Sequence, residues 1–188
     1  MHESINWTCV HFFYCDERLV HFESNESTHG QYQRHLYSKI CIPPENIHAI
    51  KPSLPVKEAA SHYQSELLNF FGSDRGIPSF DILILGIGPD GHTCSLFPNH
   101  PLLGVDELIV ASLTDSPKPP PERVTLTLPI INRAKRVAFV ATGEAKSEAV
   151  HHIHSESASI NYPASLVRPF DGELLWFLDG AASSKLHL

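Results

Sequence analysis

The sequence predicts an α/β fold: an open, mostly parallel sheet with helices on both faces, in a single domain. Three observations carry that expectation. Short apolar runs alternate with amphipathic ones along the chain. Residues 80–85, FDILIL, are almost continuously apolar, as in a strand buried on both faces of a parallel sheet. That run then exits into GIGPDG, and the carboxyl end of a strand is where open α/β sheets bind their ligands. A chain of 188 residues that is 42% hydrophobic has the material for one sizeable core.

Each element follows from its pattern. Residues 7–14, WTCVHFFY, are aromatic and β-branched enough for a strand, which should end at Cys15, Asp16, Glu17 and Arg18. Residues 27–40 predict a helix with Tyr32, Leu36 and Ile40 on one face, closed by Pro43 and Pro44. A short strand at 46–50 follows. Residues 55–71 predict a second helix with Ala59, Tyr63, Leu67 and Phe70 inward, opened by Pro55 and stopped by Gly72. Further strands are expected at 107–113, 136–142 and 173–178, with helices at 144–154 and 179–186. The segment DSPKPPPERVTLTLP (residues 115–129) is expected to be a shaped loop in its first half, because each proline fixes φ and removes a donor.

Composition narrows the function. A formal net charge of -7 repels phosphate backbones, so nucleic acid is excluded as a partner and any anion must be held by local cations. No apolar run approaches the ~20 residues of a membrane span, and MHESINWTC lacks the layout of a secretory signal. The four cysteines show neither a CxxC pair nor a disulfide framework, which fits reduced thiols in the cytosol. His151, His152 and His154 form the one histidine cluster. They read as a solvated helix face, since tetrahedral zinc wants ligands converging from separate turns, and no metal is expected.

The glycine turn is the decisive stretch. As a dinucleotide loop GIGPDG is poor: Pro89 offers no N–H, Asp90 would set negative charge beside a pyrophosphate, and Pro98 and Pro101 allow barely two helical turns afterwards. As an acid–base site it is better suited. Gly86, Gly88 and Gly91 would let the backbone approach a substrate, with Asp90 and His92 two apart on a tight turn and His92 able to take a proton from water near neutral pH. A Cys94–His92 nucleophile pair is disfavoured, because neighbours two apart on a turn rarely align for thiolate attack. Arg123, on a proline-stiffened loop, would present a planar fork to a phosphate, and Lys146 would lie in the first turn of a helix whose N–H groups also attract anions.

The segment LGIGPDGHTCSLFPNHPLL (residues 85–103) resembles the signature of the 6-phosphogluconolactonases. The resemblance extends to Asp16-Glu17-Arg18, to Glu26–Tyr32, to SPKPPPERVTLTLP, to ATGEAK and to PASLVRP with GELLWFLD, so nearly the whole chain is covered. It implies a Rossmann-like sheet and hydrolysis of a sugar phosphate lactone, 6-phosphoglucono-δ-lactone, without metal or coenzyme, by a cytosolic and monomeric protein. It also implies that His92 is the general base and that Asp90 orients the site. Nearby N–H groups or Arg18 stabilise the developing oxyanion, and Arg123 and Lys146 are the phosphate contacts. Asp16, Glu17, Gly86, Gly88, Gly91 and Thr93 join the substrate-binding set. For Glu17 two roles stay open, partner of Arg18 or catalytic acid.

Two departures from the family stand out. The glycine-rich strand–helix unit with which members normally begin finds no counterpart, so an N-terminally shortened domain is expected, and His21 stands where close relatives usually carry proline. Two alternatives therefore accompany lactone hydrolysis. One is a sugar-phosphate isomerase/deaminase of the same superfamily, although residues 93–100 hold no acidic side chain of the kind those enzymes place after the histidine. The other is a weak or inactive binding fragment.

Overall fold

The computed structural model describes residues 5–72, 76–155 and 157–186. Among the described residues eight strands and four helices run in the order β1 (Phe12–Phe13), β2 (Asp16–Arg18), α1 (Thr28–His35), β3 (Ile47–His48), α2 (Val56–Phe71), β4 (Leu83–Leu85), β5 (Val110–Leu113), β6 (Arg123–Leu126), α3 (Leu128–Ile131), β7 (Arg136–Ala141), α4 (Ser147–Ser155) and β8 (Glu173–Leu178). They form three small sheets: β1–β3, parallel; β4–β7–β8, parallel; and β2–β6–β5, antiparallel. The expected α/β architecture is present. The antiparallel sheet is an addition that the alternation of apolar runs did not signal.

Helix α2 forms because its apolar residues recur at helical spacing and Gly72, at φ 88°, accepts the left-handed turn that ends it. Ala59, Tyr63 and Leu67 are buried as expected, each large side chain contributing roughly 1.5–3 kcal/mol of apolar burial. Phe70 is not inward: it is 43% exposed and packs beside the rings of Phe13, His11 and His48. The Tyr63 hydroxyl donates to the Tyr14 carbonyl at 3.1 Å and the Tyr14 N–H donates back to it at 2.7 Å, so this helix is bolted to the strand region that carries the DER triplet.

Several boundaries shrink. Residues 7–14 give a 3-10 turn at Trp7–Cys9 and only a two-residue strand, because the Asn6 side chain caps the turn by accepting from the Thr8 N–H. Helix α1 ends at His35 and a 3-10 turn, Tyr37–Lys39, takes over. Residues 179–186 form turns rather than a helix, with the Asp179 carboxylate accepting from the Gly143 and Ala182 N–H groups.

The expectation that residues 80–85 are buried on both faces is corrected. The strand spans Leu83–Leu85, and successive side chains point to opposite faces. Leu83 and Leu85 enter the core, while Ile82 and Ile84 are 51% and 63% exposed. Register puts Ile84 in one row with Ala138 and Leu175, next to the row of Val140 and Phe177, and four of these five are exposed apolar side chains. A cleft of about 240 Å³ lies between β1 and β4, lined among others by Phe13, Cys15, Phe80 and Ile84.

Candidate functional site

The turn after β4 is built so that His92 and Asp90 are forced together. The Gly88 N–H donates to the His92 carbonyl at 2.8 Å and the Gly91 N–H donates to the Gly88 carbonyl at 2.9 Å, closing a tight loop. A Cβ on Gly88 would collide with the His92 ring and the Asp90 carboxylate, so only glycine leaves room for that pair. Gly91 sits at φ 78°, and a Cβ there would lie 2.7 Å from Tyr162. The Gly91 carbonyl accepts from Ala164, so the segment around the 3-10 turn Pro163–Leu166 buttresses the loop from outside. Gly88 and Gly91 therefore make room for protein atoms, which corrects the expectation for those two; at Gly86 a Cβ would meet nothing within 4 Å, and its carbonyl accepts from the Thr93 hydroxyl at 2.9 Å.

His92 Nδ1 lies 2.5 Å from Asp90 Oδ1. Two lone pairs cannot approach that closely, so the proton is on Nδ1, Asp90 accepts it, and Nε2 carries the free lone pair. Lys118 Nζ lies 3.1 Å from both Asp90 oxygens and 3.1 Å from His92 Nδ1. Burial alone would raise the Asp90 carboxyl; the His92 hydrogen bond and the Lys118 ammonium overcome it and hold the group at about 2. The His92 imidazole is lowered, by burial first and by Lys118 second, against the opposing pull of Asp90 and Asp16. The ring is 19% exposed and leans on Phe97 at 4.8 Å between centroids. The arrangement is a neutral imidazole with an orienting carboxylate, reachable from outside, which is what proton abstraction from water requires.

Arg123 is close by but committed. Its guanidinium carbon lies 5.8 Å from the centroid of the same Phe97 ring, its side chain is 4% exposed, and Nε and Nη2 donate to the carbonyls of Pro120, Lys118 and Pro119. The fork is narrowed: Nε and Nη2 hold the proline loop, and Nη1 faces Asp16 Oδ2 at 4.0 Å. Asp16 in turn accepts from the Ser95 hydroxyl at 2.8 Å.

Glu17 is neither of the two things expected of it. At 1% exposure, its carboxylate accepts from the N–H groups of Arg18, Thr28 and His29 and from the Ser27 hydroxyl, closing the N-terminus of α1. Burial pushes its carboxyl up and the N–H bonds pull it back. Arg18 pairs instead with Glu26, donating to its carbonyl at 2.8 Å, and among the described residues its buried Nε has no hydrogen-bond partner. Thr93 is buried, and its hydroxyl donates to the Gly86 carbonyl.

Lys146 ends a 3-10 turn, Glu144–Lys146, immediately before α4 instead of lying inside that helix. Its ammonium is lowered by burial and by Lys118, against the pull of Asp90, which puts it in the same electrostatic neighbourhood as the His92 pair. The Cys94 thiol is pushed up, by its hydrogen bond with Cys15 and by burial, so it stays protonated. The histidines of α4 go to separate partners: His151 to the Lys185 carbonyl, His152 to Glu148 and the Tyr162 ring, His154 to the Val150 carbonyl. Among the described residues no group of three His, Cys, Asp or Glu side chains is placed to hold a metal. The apolar cleft between β1 and β4 touches neither His92 nor Lys118.

The residue that sequence reasoning missed is Lys118. A usable signal was present: it is the only cation inside the SPKPPP run, where flanking prolines fix its backbone.

Fold and site together define an α/β protein with a His–Asp pair at a strand exit and a lysine set against it. Residues 1–176 match the family described as glucosamine-6-phosphate isomerases/6-phosphogluconolactonase, and the chain belongs to that family. Among curated relatives, it is 55% identical over 173 residues to the Homo sapiens 6-phosphogluconolactonase, a match covering 92% of this chain and 67% of the relative, and 54% identical to that of Rattus norvegicus with the same share of the relative. The solved structure described as devB protein superposes with a TM-score of 0.91 at 32% identity, covering 98% of this chain and 77% of that one. The 6-phosphogluconolactonase from Thermotoga maritima gives 0.81 at 32% identity over 93% of this chain and 75% of its own.

Proposed function

We propose that this chain hydrolyses 6-phospho-D-glucono-1,5-lactone to 6-phospho-D-gluconate, the lactone-opening step of the oxidative pentose phosphate pathway. The single observation that carries the residue-level reading is the 2.5 Å contact between His92 Nδ1 and Asp90, which leaves Nε2 as the proton acceptor. His92 takes a proton from water, the hydroxide adds to the lactone carbonyl, and the tetrahedral intermediate expels the ring oxygen. That oxygen receives the proton from His92 as the C–O bond breaks, so the base ends neutral. Asp90, held ionised, orients the ring and stabilises the transient imidazolium.

Among the described residues the Lys146 ammonium makes no hydrogen bond or ion pair, and it is the cation left for the substrate phosphate; Arg18 is paired with Glu26 and Arg123 holds the loop. The sugar-phosphate isomerase/deaminase alternative is weaker, because residues 93–100 hold no carboxylate to assist His92. The cytosol is the proposed location: all four cysteines are free, and among the described residues no helix is long and apolar enough to cross a membrane. A monomer is the proposed state.

The test is direct. The purified chain is mixed with freshly generated lactone and 6-phosphogluconate is measured against the spontaneous rate; turnover clearly above background is expected. Ammonia release from glucosamine-6-phosphate in place of lactone hydrolysis would shift the assignment to the isomerase/deaminase branch.

A further inference from the structure

The loop of residues 116–121 is far more constrained than its lack of regular structure suggests. Ser116 donates its hydroxyl to the Lys118 carbonyl at 2.7 Å and its N–H to the Pro121 carbonyl at 3.2 Å. Arg123, buried on β6, donates to the Lys118 carbonyl at 2.8 Å, the Pro120 carbonyl at 3.0 Å and the Pro119 carbonyl at 3.3 Å. A buried guanidinium and four prolines thus fix one backbone position, and the side chain delivered from it is Lys118. Its Nζ stops against Asp90 and His92 at 3.1 Å.

Aiming an ammonium at that pair has a physical consequence. A carboxylate at 2.5 Å, acting alone, stabilises the imidazolium and would hold His92 charged at a pH where the base must be neutral. A cation within hydrogen-bond reach of the same carboxylate cancels part of that field and repels a second positive charge on the ring. We propose that Lys118 is the positioning residue that keeps Asp90 ionised and His92 neutral, and that Arg123 acts through the loop to hold it there. This rests on His92 being the base in lactone hydrolysis, but the electrostatic claim can be tested without turnover.

Among the described residues the groups that face His92 are Asp90 on its own turn, Lys118 from the proline loop, Asp16 from β2 and the Phe97 ring, with Lys146 interacting electrostatically with Asp90 and Lys118. Of these Lys118 is the one whose removal takes away positive charge in direct contact. The Lys118 side chain is 41% exposed and its backbone is held by Ser116 and Arg123, so truncating it leaves the loop anchors in place.

The experiment compares the full chain with Lys118→Met and Lys118→Arg, each checked for an unchanged melt. The His92 ring proton is followed by NMR as pH is varied and is identified by its loss in His92→Gln. Lys118→Met should raise the His92 titration by roughly half a unit to one unit, and Lys118→Arg should restore it. In turnover, kcat/KM for Lys118→Met should fall about two- to fivefold at pH 6 yet stay close to the parent value at pH 8, because only the acid limb moves.

An unmoved His92 titration in a folded Lys118→Met overturns the proposal. So does a loss that is equal at every pH and confined to KM, since that is the signature of a lysine that only grips phosphate. Should Lys118→Met fail to fold, Lys118→Gln carries the same two readouts. Full lactone hydrolysis by His92→Ala would instead overturn the catalytic role of His92, and would leave the titration result standing.

Discussion

Glu17 and Asp90 are two carboxylates of the same candidate site, one in the short strand β2 and one in the turn that follows β4. They are put to opposite uses. Glu17 is buried and its oxygens take three backbone N–H groups and a hydroxyl, two of those N–H groups and the hydroxyl at the start of α1 and the third from Arg18 in its own strand. Asp90 is 37% exposed and its partners are two side chains, His92 and Lys118, both able to change their protonation or position. Backbone donors are fixed by the fold and make a carboxylate structural. Side-chain donors leave it able to take part in chemistry.

The sharpest way to break that contrast is at His92. His92→Ala should lower kcat for the lactone by about 100-fold or more, in the range general-base removal produces, with little change in thermal melt. A variant that hydrolyses lactone as well as the parent would make the Asp90 region no more reactive than the Glu17 region.

Next in size is Glu17→Ala. Removing the carboxylate strands the N–H groups of Thr28 and His29 and the Ser27 hydroxyl, and the chain should lose about 3 kcal/mol in urea denaturation. Catalysis per folded molecule should hold. A selective loss of kcat with full stability would show that Glu17 is chemical after all.

Asp90→Asn is expected to invert this pattern, with stability altered by under about 1 kcal/mol and kcat down by tens of fold. The amide can donate to Nδ1 as well as accept from it, so the ring is no longer held in the tautomer that frees Nε2. Equal kcat in this variant would remove the orienting role.

The smallest effect is in pH. Because burial and Lys118 lower His92, kcat/KM should rise with pH through a value below the ordinary histidine 6.5 or so and be flat by neutrality. The linked stability effects have the same sign. A lowered His92 means the unfolded chain binds that proton more readily, so its contribution to stability grows as pH rises from the lowered value to the ordinary one. The depressed Asp90 contributes stability above the ordinary carboxylate range and loses it as pH falls toward about 2. An acid limb centred above 6.5 would contradict both the burial and the Lys118 contact.

The same accounting explains what was legible in the amino-acid order. Helix α2 was, because Ala59, Tyr63 and Leu67 repeat at its own period and Gly72 stops it. The pairing of Asp90 with His92 was, because two residues apart on a glycine turn leave few other geometries. Strand β6 was not: its four residues, Arg123–Leu126, are all buried, and a buried arginine in a proline-rich segment looks like a solvent-facing cation until β2 and β5 are seen on either side. Phe70 failed for a similar reason, since helical spacing states which face it shares but not how far the sheet beneath extends.

Local order along the chain therefore determined the elements whose hydrogen bonds close between near neighbours: the amphipathic helix and the turn that only glycine permits. Tertiary structure alone decided the cations and carboxylates whose partners come from far along the chain, as Lys118 comes to His92 and Ser95 to Asp16. A charged side chain has many locally equivalent positions in water. What fixes its role is the set of donors and acceptors that distant segments bring to it, and that set is a property of the folded chain.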